Sequence, residues 1–198
     1  RLSNALKAQP EVTQVRNGKS TVKYLMLVNE ETRKKGVGSL KNKKLSILKS
    51  NYLGLLFLDT YLMQAKLPFS DRFFAATGEK TKESQVILDV FFGKADAGVV
   101  TDTAFQMMKE LNPQVGQKLR VVAESPELID AVGFFRKDYP LAYKQVIMSG
   151  MHGGIKNHER GRQIFLLFNV DQLNAIDDTS LDSVRKLMAD YDRLKRKK

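Results

Sequence analysis

The chain has 198 residues, with 33 Lys and Arg against 22 Asp and Glu, and a formal net charge of +11. This length suits one ordinary domain or two small lobes, and the 42% hydrophobic content excludes a wholly disordered chain. The absence of cysteine excludes disulfide scaffolds, zinc–thiolate sites and thiol nucleophiles. The most apolar stretch, Tyr52 to Leu58, is far shorter than the roughly 20 residues of a membrane span. Because the chain starts at Arg1 without a leader, we expect upstream sequence to be missing.

The first half of the chain alternates strand and helix patterns. Leu2–Lys7 resembles the end of a helix that stops before Pro10. β-Branched and apolar residues predict a strand over Thr21–Val28, and a short strand follows a polar loop at Leu45–Leu48. Apolar residues at helical spacing then predict a helix over Gly54–Lys66.

The second half continues the alternation. Arg72–Ala76 is a strand candidate, Glu83–Phe92 a helix, Ala97–Val100 a buried strand and Thr103–Leu111 a helix. The remaining predicted elements are strands at Leu119–Ala123 and Ala131–Phe135 and helices at about 140–149, 159–168 and 180–194. This order predicts an α/β fold with a mixed, mostly parallel sheet flanked by helices.

Ligands of such sheets bind where strands turn into helices, at the carboxyl ends of the strands. The first such turn contains Ser50, Asn51 and Tyr52, whose backbone N–H groups and Ser50 hydroxyl could hold an anion. A plain capping turn without a ligand is the alternative.

Two further turns are candidates for the same site. Residues 77–84 are rich in hydroxyl and charged groups, although Ser84 or Thr81 could serve only as a helix cap. Asp102, between Thr101 and Thr103, could cap its helix or face a cleft and accept hydrogen bonds from a ligand.

Other function classes find less support. The basic clusters at residues 33–35, 41–44 and 195–198 are typical of a solvated surface, and no nucleic-acid recognition motif accompanies them. His152 and His158 lack the i, i+4 spacing of a metal pair. With no nucleophile elbow or Walker loop either, we expect no catalytic residue, metal or cofactor and no nucleic-acid partner.

Several segments in order resemble one known family. Val90–Asp102 is similar to the "V-x-x-G-K-x-D-A-G-x-x-x-D" segment of phosphate/phosphonate-type periplasmic solute-binding proteins. Leu119–Pro126 resembles its "L-R-V-I-x-x-S-P" strand, and Phe135–Pro140 its "A-R-K-D-L-P". Tyr24–Val28 and Ser39–Lys44 match the entry to that family's second lobe.

The resemblance implies a type 2 periplasmic binding-protein fold, in which two α/β lobes close on a ligand. Residues 1–28 would end an incomplete first lobe and form the crossing strand, 29–124 would form the second lobe, and 125–198 would return to the first. The implied function is an extracytoplasmic, non-enzymatic solute-binding component of an ABC transporter for phosphate/phosphonate-like or other small anionic solutes. The implied partner is a permease, and an upstream membrane anchor is an option. The alternatives are the ligand-sensing domain of a signalling receptor, partnered by its signalling domain, and, with less support, a basic nucleic-acid-binding domain.

The family's binding turn reads "S-T-S-G", whereas here Gly54 follows Asn51, Tyr52 and Leu53, and no histidine stands near Lys82 and Glu83. Losing two or three such donors would weaken a phosphonate site by several orders of magnitude. Either another ligand binds, with Tyr52 stacking on it, or lysines supply the charge, or the pocket is no longer a transport site. We expect the ligand to contact Ser50, Asn51, Tyr52, Lys82, Glu83, Ser84, Thr101, Asp102 and Thr103.

Overall fold

A computed structural model describes residues 8–151 and 157–196. Contacts between residues divide the chain into two compact units. Unit 1 consists of Arg1–Thr21 and Leu128–Ser183, and unit 2 consists of Val22–Glu127 and Val184–Lys198. The predicted helix over Leu2–Lys7 lies outside the described residues.

The elements alternate between strands and helices, as expected for an α/β protein. The strands are β1 Ala8–Val15, β2 Tyr24–Asn29, β3 Lys44–Leu48, β4 Ala76–Lys80, β5 Ala97–Thr101, β6 Leu119–Glu124, β7 Val132–Arg136 and β8 Gln172–Ala175. The α-helices are α1 Glu30–Lys35, α2 Tyr52–Gln64, α3 Ser70–Phe73, α4 Glu83–Phe91, α5 Asp102–Leu111, α6 Pro113–Lys118, α7 Leu141–Ser149, α8 Glu159–Phe168 and α9 Asp182–Lys195. Short 3₁₀ turns lie at Val37–Leu40 and Thr179–Leu181. In the described part of the chain, no helix combines the length and apolar character that a membrane crossing needs.

Unit 2 is built on a five-stranded mixed sheet in the order β4-β3-β5-β2-β6. Strand β3 runs parallel to β4 and β5, whereas β2 runs antiparallel to β5 and β6. The sheet is therefore mixed, as expected, with two parallel and two antiparallel pairs and only β2 running opposite to the other four strands. The physical reason is that β2 enters the middle of the sheet in the opposite direction to its neighbour β5.

Both faces of this sheet are covered by helices. All side chains of β2 from Tyr24 to Val28 are buried, which explains why this strand is an almost continuous apolar run. On one face, α4 packs Val86 and Val90 against β5 at Gly98, where an added Cβ would lie 2.9 Å from either valine. Helix α2 contacts β2 and β5 and buries Leu58 and Leu62 completely.

The predicted strand over Arg72–Ala76 is wrong. Residues Ser70–Phe73 form the short helix α3, and the strand begins only at Ala76. The apolar pattern there reflects Phe73 and Phe74, which are buried with their rings edge to face at 5.0 Å. Strand β4 itself is an edge strand whose residues are largely exposed. Its sequence therefore shows no alternation of apolar and polar residues.

Unit 1 contains a three-stranded antiparallel sheet in the order β7-β1-β8. Strands β1 and β8 were not expected, because both are rich in polar residues and β1 contains Pro10. The register of β1 against β7 shifts between Pro10 and Val12, which is where a strand tolerates a proline. The carboxylate of Glu11 pairs with the ammonium of Lys144 from α7.

The C-terminal helix α9 is grouped with unit 2 from Val184 onward. The ring of Tyr191 packs 6.1 Å from the ring of Phe69. Burial, together with the negative charges of Asp59, Asp192 and Asp71, raises the pKa of Tyr191. These contacts lie within unit 2. The assignment of the three segments to family lobes stays a prediction.

Candidate functional site

The three predicted turns lie at one edge of the five-stranded sheet. Strands β3, β4 and β5 are parallel, so their carboxyl ends meet at the same edge. The register pairs Leu48 with Lys80, and the N–H of Lys49 donates to the carbonyl of Lys80 at 2.8 Å. Strand β2 begins at this edge as well, because Tyr24 pairs with Thr101.

The turn after β3 contains one unusual backbone position. Ser50 is exposed and adopts a left-handed conformation with φ of 60°, which directs the chain into α2. The helix begins at Tyr52, two residues earlier than expected, so Asn51 is its N-cap. The Tyr52 side chain is 79% exposed, so within unit 2 it is open to stack on a ligand.

Asn51 has one satisfied and one unsatisfied polar atom. Its Oδ1 accepts a hydrogen bond from the N–H of Gly54 at 2.9 Å. Its Nδ2 is buried and has no hydrogen-bond partner among the described residues. A Cβ added at Gly54 would lie 2.4 Å from that nitrogen, so the Asn51 side chain would have to shift. A buried amide without an acceptor costs about 1–3 kcal/mol, which makes this atom a candidate ligand donor.

The first turn of α2 leaves one backbone donor as well. The N–H of Tyr52 donates to the carbonyl of Ser50 at 3.0 Å, and that of Gly54 is held by Asn51. Leu53 therefore carries the first-turn N–H for which the described residues supply no acceptor. Such groups at a helix N-terminus, together with the helix dipole, favour an anion.

The second predicted turn is shorter than expected, because residues 77–80 belong to β4. Lys82 is the N-cap of α4, is exposed, and makes no side-chain capping bond. Glu83 and Ser84 follow as the first two helical residues, both half-buried. Neither Ser84 nor Thr81 caps the helix, although the Thr81 N–H and hydroxyl both donate to Gln85 at 3.3 Å.

The turn after β5 is fixed by Thr101, which is the N-cap of α5 and accepts from the Ala104 N–H at 3.3 Å. Asp102 is therefore the first helical residue and not the cap. The Oδ1 of Asp102 accepts from the N–H of Lys23 at 3.1 Å, and its own N–H donates to the Lys23 carbonyl at 2.8 Å. Thr103 is half-buried in the first turn of α5.

A carboxylate joins the second and third turns. Glu83 accepts from the Thr101 N–H with Oε1 at 2.6 Å and from the Thr101 hydroxyl with Oε2 at 2.9 Å. Sequence analysis singled out both residues but not this contact, because they are 18 positions apart on separate elements. Lys23 was missed altogether, since the strand pattern alone did not show that β2 begins beside Asp102.

The cations at this edge differ in their partners. The ammonium of Lys80 forms an ion pair with Asp89 at 2.9 Å, and that of Lys23 lies 3.8 Å from Glu124. Lys49 and Lys82 are exposed. The edge thus carries hydrogen-bond donors at α2, carboxylates at α4 and α5, and exposed lysines around them.

Among residues 8–151 and 157–196, no group of three or more His, Asp or Glu side chains could hold a metal ion. His158 is exposed at the start of α8, and His152 lies outside the described residues. A ligand-binding role for the polar groups at this sheet edge stays a prediction.

A known protein family matches most of this chain. Residues 2–181 match the family described as "ABC transporter, phosphonate, periplasmic substrate-binding protein". The chain belongs to this family, which confirms the resemblance seen in its sequence. The family is extracytoplasmic and consists of transport components, not enzymes. No curated protein matches the chain.

Solved structures show the same fold at low sequence identity. A binding protein component of an ABC phosphonate transporter from Pseudomonas aeruginosa superposes with a TM-score of 0.68 and 15% identity, over 96% of this chain and 64% of that one. A protein from Xanthomonas citri, solved bound to ATP, has a TM-score of 0.70 and 17% identity. The match covers 96% of this chain and 72% of that one. A protein from Prochlorococcus marinus in complex with methylphosphonate has a TM-score of 0.62 and 19% identity. The match covers 91% of this chain and 70% of that one. The chain therefore has the type 2 periplasmic binding-protein fold and spans about two thirds of the length of these structures.

Proposed function

We propose that this chain is part of an extracytoplasmic solute-binding protein that delivers a small tetrahedral oxyanion to an ABC importer. The observation that carries the proposal is the sheet edge of unit 2, where the turns after β3, β4 and β5 come together. Membership of the phosphonate family supports the transport role, and its description supports a periplasmic location. The partner on the membrane side would be the permease of the importer.

The ligand oxygens would bind at the start of α2. The Asn51 amide and the Leu53 N–H are donors without an acceptor among the described residues, and an oxyanion supplies acceptors for both. Charge-assisted hydrogen bonds of this kind are about twice as strong as neutral ones. These two donors take the place of the hydroxyl-rich turn found elsewhere in the family.

The remaining site residues would surround the bound group. The exposed ring of Tyr52 would cover an apolar substituent of the ligand, and the exposed ammonium groups of Lys49 and Lys82 would attract the anion. Asp102 would accept from a hydroxyl or amine of the ligand, since each oxygen of a carboxylate can accept more than one hydrogen bond. Ser50, Ser84 and Thr103 would add hydroxyl contacts at the rim.

Thermal unfolding of the chain against a panel of solutes tests this function. The panel contains phosphate, phosphite, methylphosphonate, sulfate, methanesulfonate, amino acids and small amines. A ligand at about 100 times its Kd stabilises the native state by about 2.7 kcal/mol, which for a chain of this size raises the midpoint by about 5–10 °C. We expect this shift for at least one tetrahedral oxyanion and not for the amines. A shift only with amines or amino acids would overturn the ligand class.

A further inference from the structure

The Glu83 carboxylate is bound the way a ligand oxyanion would be bound. Its two oxygens take the backbone N–H and the hydroxyl of Thr101, at 2.6 and 2.9 Å, immediately before the N-terminus of α5. A backbone N–H, a hydroxyl and a helix N-terminus together are a typical oxyanion-binding arrangement. At this turn, a side chain of the protein already fills that arrangement.

We propose that Glu83 sets the charge of the ligand, so that the site accepts a singly charged tetrahedral oxyanion in preference to a doubly charged one. This inference rests on the proposed function, since it concerns the same sheet edge. A doubly charged phosphonate needs more hydrogen-bond donors or cations to compensate its charge than a singly charged oxyanion of the same shape. With both Thr101 donors occupied, the donors of the α2 turn remain for the ligand.

The charged side chains at this sheet edge also favour a singly charged ligand. The Glu83 carboxylate accepts from the Thr101 N–H, and the next residue, Asp102, accepts from the N–H of Lys23, so both residues place negative charge beside the β5–α5 turn. The ammonium of Lys80 pairs with Asp89 at 2.9 Å. Each added negative charge on the ligand is repelled by the carboxylates of Glu83 and Asp102, whereas a single charge is compensated by the start of α2 and the exposed lysines.

Two probes of nearly equal shape separate the charge from the geometry. Methanesulfonate carries one charge and methylphosphonate carries two at about pH 9, where lysine side chains keep their protons. Calorimetric titration of the unmodified chain should give a Kd for methanesulfonate about tenfold or more below that for methylphosphonate. This measurement does not depend on any variant being folded.

The variant Glu83→Gln should reverse the preference. Its amide keeps an acceptor for the Thr101 N–H while removing the charge, so the ratio of the two Kd values should move toward methylphosphonate by about tenfold. Glu79→Gln is the matched control, because it removes the same charge from the neighbouring strand β4 and should leave the ratio unchanged.

These titrations distinguish failure of the role of Glu83 from failure of the proposed function. Equal affinity of the unmodified chain for both probes, or an equal change of the ratio in the two variants, would overturn the role of Glu83 while leaving an oxyanion-binding protein. Absence of binding of either probe to the chain and to Glu83→Gln would overturn both this inference and the proposed function.

Discussion

Replacing Asn51 with Asp should weaken the binding of methylphosphonate and methanesulfonate by about 100-fold, or 2.8 kcal/mol. The change removes the Nδ2 donor, for which the described residues provide no partner, and places a negative charge where the oxyanion should bind. Stability should stay within about 1 kcal/mol, since Asp and Asn cap helices equally well. Titration calorimetry gives the affinity and urea unfolding gives the stability.

Asn112→Asp is the matched control for this variant. Asn112 is also an N-cap, and its Oδ1 accepts from the N–H of Gln114 at 3.1 Å at the start of α6. The same substitution there should leave both affinities unchanged. If Asn51→Asp binds the two oxyanions as well as the parent chain does, the amide of Asn51 is not a ligand donor.

Replacing Phe73 with Ala should lower the free energy of unfolding of unit 2 by about 3–5 kcal/mol. The Phe73 side chain is fully buried, so its removal leaves a cavity in addition to the lost transfer free energy. Since natural domains have only about 5–15 kcal/mol of stability, this change should shift the urea midpoint strongly.

The variant Phe92→Ala distinguishes the effect of burial on stability from the effect of ring contacts. Each phenylalanine stacks edge to face with a neighbouring ring at 5.0 Å, but the Phe92 side chain is 65% exposed. We expect a loss below about 1 kcal/mol for this variant, because little apolar surface is removed from water in the folded state. Equal losses for the two variants would contradict the assignment of Phe73 to the core.

The elements that sequence analysis predicted well are those whose own side chains form the core. Helix α4 has a clear apolar face, and β5 is a short buried run, so local pattern determines both. The edge strand β4 and the polar strands β1 and β8 lack such a pattern, because they are held by backbone pairing with distant segments. Their positions depend on tertiary structure that a local pattern does not contain.

The candidate site was likewise predicted only in part from the sequence. The turns containing Asn51 and Asp102 were predicted, since strand-to-helix junctions of parallel strands meet at one edge. The capping roles were not, because Thr101 rather than Asp102 lies at the N-cap of α5. The contact of Glu83 with Thr101 depends on the distance between two helix starts, which only the folded sheet defines.

The most direct test of an oxyanion site at the start of α2 is a titration of the ¹⁵N-labelled chain with methanesulfonate, followed by two-dimensional NMR. We expect the largest shifts at the side-chain amide of Asn51 and the backbone N–H groups of Leu53 and Gly54, with smaller ones at Asp102. Shifts confined to the basic clusters or to unit 1, or no shifts at all, would contradict the site.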